Sequence, residues 1–274
     1  MVRYYNELTR LEMEQVDKDE TVVMIGGSVG TARKPVSAGY RRDHRGGNGE
    51  TDQRGLRPGD PGLSDADLSA DPVGLSTEHV NFCGSVTLKP DTFYHVLYDI
   101  CKGLAHHGFR KIAILNCHGG NSPIIQVLSR EVRSELGIAV FIINCGAFFG
   151  NQAVKDTVTP GNIWDFHGGE METSMVLAER PETVKLETSE AGIPRKFMGN
   201  KTFTVYGPIT LGWVSEEWET EDGKPIGIGG DPSGATAEKG NQSTTALWSR
   251  SFRAERDQES GKTKALFQKI VKKC

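Results

Sequence analysis

The chain has 274 residues, with 32 Lys and Arg against 36 Asp and Glu, a formal net charge of -4. A hydrophobic fraction of 36% and a charged fraction of 25% exclude a wholly disordered chain, and the mild acidity gives no reason to expect nucleic acid as a partner. No apolar run approaches the ~20 residues that span a bilayer, so no membrane partner is expected.

The first twenty residues are acidic and carry no apolar stretch of the kind a signal peptide needs. Five scattered cysteines suit neither a disulfide framework nor a paired-cysteine zinc site. A reducing, cytoplasmic setting is the expectation. Thr21 to Ile25 reads as a first strand. Residues 26 to 74 then break the pattern: this stretch holds 11 of the 33 glycines and six arginines, with no Ile, Phe, Met, Trp or Cys. A structureless loop of that length inside one domain is anomalous.

From residue 75 to 185 strands and helices alternate. Pro90 to His107 carries Phe93, Val96, Leu97, Ile100 and Leu104 on one face and stops at Gly108. Lys111 to Asn116 is a short apolar run suited to a buried parallel strand. Ser122 offers an N-cap, Pro123 a first helical residue, and Ile124, Ile125, Leu128, Val132 and Leu136 recur at helical spacing before Gly137. Ile138 to Asn144 follows as a second buried strand, completing a βαβ unit. Further on, Thr202 to Tyr206 reads as a strand and Lys264 to Lys272 as a terminal helix. The order predicts a single layered α/β domain.

Two polar clusters stand where ligand sites form in such folds, beyond the carboxyl ends of strands. Asn116-Cys-His-Gly-Gly-Asn121 joins a strand to a helix, and Gly119 and Gly120 let backbone approach a ligand. His118 stands at the strand tip. Trp164 to Ser174 contains His167, Glu170 and Glu172. A His and a carboxylate on one turn can both reach a metal, or divide into ligand and proton shuttle. Equally, Glu170 and Glu172 suit the positive end of a helix. Cys117 beside His118 is a nucleophile only in the weaker reading, since sequence neighbours seldom face each other. His79, within Ser76 to Phe82, is placed to line a pocket, and Gly230 to Gly240 reads as loop punctuation feeding a capped helix.

Taken together these stretches resemble the creatininase family, or creatinine amidohydrolases. The resemblance runs through Ser76 to Phe82, Gly84 to Leu88, Gly108 to Ile112, Asn116 to Asn121, His167 to Ser174 and Gly230 to Gly240. It implies a layered α/β/α domain with a mainly parallel sheet, often in a homo-oligomer. It also implies two divalent metal ions (Zn, Mn or Fe) and hydrolysis of a C–N bond in a small amide. Carried over by position, His118 and Glu170 are the implied metal ligands, His167 the proton-transfer group and Glu172 a supporting carboxylate. Gly119, Gly120, Asn121 and His79 are implied on the substrate side. Creatininases proper have Tyr-Glu where this chain has Gly119-Gly120, so creatinine is a poor fit. A peptidase or deformylase on the same scaffold is the first alternative.

The family also expects Gly-Ser-x-Glu-Gln-His-Gly and then Thr-Asp soon after the first strand, whereas this chain has Gly27-Ser-Val29 and then departs. Back-translated from Gly30 with chosen synonymous codons and one base removed, Gly30-Thr-Ala-Arg33 can be read as Glu-Gln-His-Gly. Continuing through Lys34 to Arg42 reaches Thr-Asp. The hypothesis is that residues 29 to 73 are an out-of-frame reading. It is motivated by the composition break, and an intact gene frame encoding these residues sinks it. With residues 26 to 74 as they stand, a catalytically inactive binding protein is the second alternative.

Overall fold

The computed structural model describes residues 3–4, 8–19, 21–26, 66–68, 73–144, 156–205 and 208–251. A parallel sheet of five strands lies at the centre. In chain order these are β1 (Arg3–Tyr4), β2 (Thr21–Gly26), β3 (Ala66–Leu68), β4 (Lys111–Asn116) and β5 (Ala139–Asn144). Their spatial order is β1-β3-β2-β4-β5, and every adjacent pair runs parallel. β4 sits between β2 and β5 in full register, Asn116 opposite Gly26 on one side and Asn144 on the other. Lys111 is exposed and the next five residues are buried, as a strand covered on both faces requires.

Helix α1 (Arg10–Gln15) begins with a capping box: Thr9 accepts from the Glu12 amide, and the Glu12 side chain accepts from the Thr9 amide. The sequence reading had no helix there. α2 (Pro90–His106) opens with proline and buries Phe93, Leu97, Cys101 and Leu104, one side chain per turn on the sheet-facing stripe. It stops at Gly108, whose φ of 96° a side chain disfavours. α3 (Ser122–Leu136) buries Ile125, Leu128 and Val132 and ends at Gly137 in the left-handed region. Its cap differs from the expectation. Ser122 is already helical, and a 3-10 turn, Gly119–Asn121, leads in from β4. Val22, Met24, Ile112 and Ile114 of the strands close the core with these helices. Each such aliphatic side chain contributes about 1.5–3 kcal/mol when fully buried.

Beyond β5, α4 (Glu170–Glu179) packs against α5 (Ala237–Ser251). The segment between them is held by isolated bridges rather than a sheet. Thr202 to Tyr206 is not a strand among the described residues; Thr204 makes a single bridge to Thr210. A second core forms there from Phe197, Val205 and Trp218, with Trp164, Phe166, Phe203 and Trp213 around it. The expected helix at 264–272 lies outside the described residues. So does the anomalous 26–74 stretch, apart from Gly26, the backbone of β3 and residues 73–74. No helix among the described residues is long and apolar enough to cross a membrane.

Candidate metal centre

His118 follows β4 with an extended backbone, φ -142° and ψ 127°, at the carboxyl edge of the sheet. Asn116, buried at the strand end, fixes that edge. Its Oδ1 accepts from the His118 amide at 3.2 Å and from Asn121 Nδ2 at 3.3 Å. Its Nδ2 donates to Ser122 Oγ and Asn144 Oδ1, both at 3.0 Å. Asn121 is fully buried and accepts from the Leu75 amide at 2.8 Å. Its side chain is therefore part of the frame that brings residues 75–79 to the strand tip.

Those residues bring the missing carboxylate. Glu78 and His79 lie on a 3-10 turn, Thr77–His79. Glu78 Oε1 stands 3.0 Å from His118 Nε2 and 3.6 Å from His79 Nε2. One ligand atom from each of Glu78, His79 and His118 lies within 4.8 Å of the others. His118 Nε2 is buried without an aligned hydrogen-bond partner, as a nitrogen set for a cation would be. Two imidazoles and a carboxylate are a donor set used by divalent transition metals. The residues fit such an ion. Glu78 was not singled out from sequence; its one signal was its place next to His79. Gly120 has a packing reason beside them. A Cβ there would sit 2.5 Å from the Leu75 carbonyl oxygen and 2.6 Å from both Glu78 Oε1 and His118 Nε2.

His167 arrives from another part of the chain. Its amide and that of Phe166 donate to the Gly229 carbonyl at 3.2 and 3.0 Å, and the Gly229 amide donates back at 2.6 Å. The ring stacks on His79 at 4.0 Å between centroids, with 16° between planes. Burial lowers the His79 pKa to about 3, helped by His167 beside it. Burial likewise lowers that of His167 to about 4, with His118 adding to the effect. Both rings are thus neutral at pH 7, the state a metal ligand must have. Burial pushes the Glu78 carboxyl up, but His118 beside it outweighs this and holds it below its ordinary value.

The two His-Gly-Gly elements have different physical grounds. After His167, Gly168 takes a φ of 63° and Gly169 leaves room for the Asp165 carboxylate. Asp165 accepts from the amides of Glu170 and Met171 and so caps α4. Burial still raises its pKa to about 7. Glu172 Oε2 accepts from the Gly168 amide at 2.5 Å, bracing the turn behind His167, and burial pushes its pKa up.

Glu170 does not join the donor group around His118. Its carboxylate, 1% exposed, pairs with Lys239 and accepts from Thr159 N, Thr159 Oγ1 and Asn162 Nδ2. Burial works to raise its pKa, but these donors, Lys239 first, hold it below the ordinary value. Among the described residues, the carboxylate facing His118 is Glu78. Lys239 belongs to Gly230–Gly240, whose sequence predicts only loop punctuation. Trp213 and Ser215 were also missed. The Trp213 ring lies 5.9 Å from His79 and 6.4 Å from His167, and Ser215 hydrogen-bonds His79 Nδ1.

A family model described as creatinine amidohydrolase matches residues 68–254. A creatinine amidohydrolase of Pseudomonas putida is 32% identical over 46% of this chain and 52% of its own length. A 3-dehydro-scyllo-inosose hydrolase of Thermotoga maritima is 26% identical over 62% and 57%. A mycofactocin precursor peptide peptidase of Mycobacterium ulcerans is 27% identical over 64% and 60%. The matched segments thus span between half and three fifths of these relatives' length. Among solved structures, a manganese creatininase superposes with a TM-score of 0.64 at 21% identity, covering 94% of this chain and 98% of its own. Another creatininase gives 0.59 at 19% identity, covering 93% and 97%. At these identities the structures show a shared α/β fold.

Proposed function

This chain belongs to the creatininase family, and from that premise we propose that it is a metal-dependent hydrolase of an amide C–N bond. The observation that carries the reading is the convergence of Glu78, His79 and His118, with His167 stacked against one of them. Glu78, His79 and His118 are the proposed ligands of a divalent ion (Zn, Mn or Fe), since mixed nitrogen and oxygen donors suit all three. Such an ion supplies Lewis acidity, lowering the pKa of water and polarising a carbonyl. The remaining steps fall to the chain. His167, neutral and half-buried, takes a proton from the attacking water and passes it to the departing nitrogen. The peptide N–H groups of Gly119 and Gly120 face the developing oxyanion. Glu172 and the Gly229 bridge keep His167 in place. The second ion that the family resemblance implies would need first-loop ligands whose family pattern this chain does not carry after Gly27-Ser-Val29.

The proposed substrate is a small amide of cyclic or formamide type. A short peptide is the second reading, favoured by the peptidase relative. Metal analysis of the purified protein together with a panel of cyclic amides, formamides and short peptides tests both. The expected result is at least one tightly held ion per chain and turnover of one class that a chelator abolishes. A metal-free protein that gains no activity with Zn2+, Mn2+ or Fe2+ overturns the reading.

A further inference from the structure

The buried bond between Ser215 and His79 joins residues 136 positions apart. Ser215 is fully buried and His79 is 5% exposed, so no substrate reaches the hydroxyl and it is not a nucleophile. Its role lies in the ring it touches. Ser215 opens a 3-10 turn, Ser215–Glu217, that docks on the Thr77–His79 turn. Beside it Asn81 Nδ2 donates to Glu216 Oε1, making a second tie between the same turns. The turn is closed by its own backbone, Trp218 N to Ser215 O at 3.2 Å and Glu217 N to Val214 O at 3.0 Å. Trp213, just before it, presents its ring to the edge of His79.

A neutral imidazole carries one N–H, and the nitrogen that bears it cannot bind a metal. Stacking on His167 fixes the plane of the His79 ring but not its proton. On the Nε2 side Glu78 Oε1 is 3.6 Å away, beyond hydrogen-bond reach. A proton there would make no hydrogen bond to that carboxylate. On the Nδ1 side the Ser215 oxygen is in contact. We propose that Ser215 is the positioning residue of His79: its oxygen accepts the Nδ1–H and so turns the Nε2 lone pair towards the Glu78 and His118 donors. Metal-ligating histidines commonly have their other nitrogen held in this way, and losing that partner weakens binding. The proposal deepens the hydrolase reading and rests on it for the metal.

The experiment uses the full chain, labelled with 15N-histidine, as wild type, Ser215→Ala and Ser215→Thr. In metal-free wild type the His79 nitrogens should show one tautomer with the proton on Nδ1. In Ser215→Ala they should show a mixture. Zn2+ affinity, measured by chelator competition, should fall about 10- to 100-fold in Ser215→Ala. Ser215→Thr, which keeps the hydroxyl, should recover most of it. Should Ser215→Ala not fold, Ser215→Cys, close in size and a weak acceptor, carries the same comparison. A Ser215→Ala protein with the wild-type tautomer and affinity overturns the proposal, as does a wild type protonated on Nε2. A wild type with the Nδ1–H tautomer but no Zn2+ binding supports Ser215's hold on the ring and refutes the metal reading.

Discussion

His79 and His167 lie face to face, ring centroids 4.0 Å apart and planes 16° from parallel, although they come from different parts of the chain. Two imidazolium charges cannot share that space. Protonating either ring means desolvating its charge, and for His79 it also means facing charge on the other.

The pair therefore makes metal-free protein acid-sensitive. Both folded pKa values, about 3 and about 4, lie below the ordinary 6.5, so between these limits the unfolded chain binds more protons than the folded one. Stability should be retained above pH 6.5 and should fall as the pH drops towards 4. Urea unfolding at pH 7 and pH 5 should show a lower midpoint at pH 5, with a smaller drop in His167→Phe. Equal pH dependence in that variant would remove His167 from the account.

Turnover and metal binding should separate at His167. His167→Ala should lower kcat by about 10²- to 10⁴-fold, the range for losing a proton-transfer group. Metal content should stay at the wild-type level. Parallel loss of metal would make His167 a ligand instead.

Gly120 should tolerate no side chain. A Cβ would press on the Leu75 carbonyl, which is backbone and cannot yield, and would enter the space between Glu78 and His118. Gly120→Ala should lose metal and activity together, while circular dichroism shows α2 and α3 intact. Wild-type metal content in Gly120→Ala would show that the ion sits elsewhere.

The Glu170–Lys239 pair should matter for stability and not for metal. Lys239→Met leaves a buried carboxylate without its cation and should cost about 3 kcal/mol or somewhat less, because the ammonium is partly exposed. The folded pKa of Glu170 lies below its ordinary 4.5, so this contribution is present above that pH and lost as the pH falls through the folded value. Glu170→Gln should flatten the acid limb of a stability–pH curve and leave metal content unchanged. Loss of metal in that variant would restore Glu170 as a ligand.

The sheet was legible because it obeys short-range rules. Lys111–Asn116 is apolar without alternation, and that pattern fits only a strand covered on both faces. Pro90, Gly108, Pro123 and Gly137 mark the ends of α2 and α3 through backbone chemistry any sequence displays. Thr202–Tyr206 misled because its alternation matches a strand, yet Phe203 and Val205 serve an aromatic cluster and, among the described residues of the stretch, only Thr204 makes a bridge. At the site, His118 and His167 could be picked out by their glycine neighbours. Glu78, Ser215 and Lys239 could not, since each acts through a partner distant in sequence. The pairing of Glu170 is hidden for the same reason: its cation is a lysine 69 residues later.

The tie from Ser215 to His79 also bears on when this protein becomes functional during its synthesis. A ribosome delivers the sheet strands and both imidazole-bearing turns well before it delivers Ser215. A nascent chain ending short of that serine can form its central layers, yet the proton on the ring at position 79 could still sit on either nitrogen. Competence therefore arrives late, when the last third of the polypeptide settles onto a scaffold already in place.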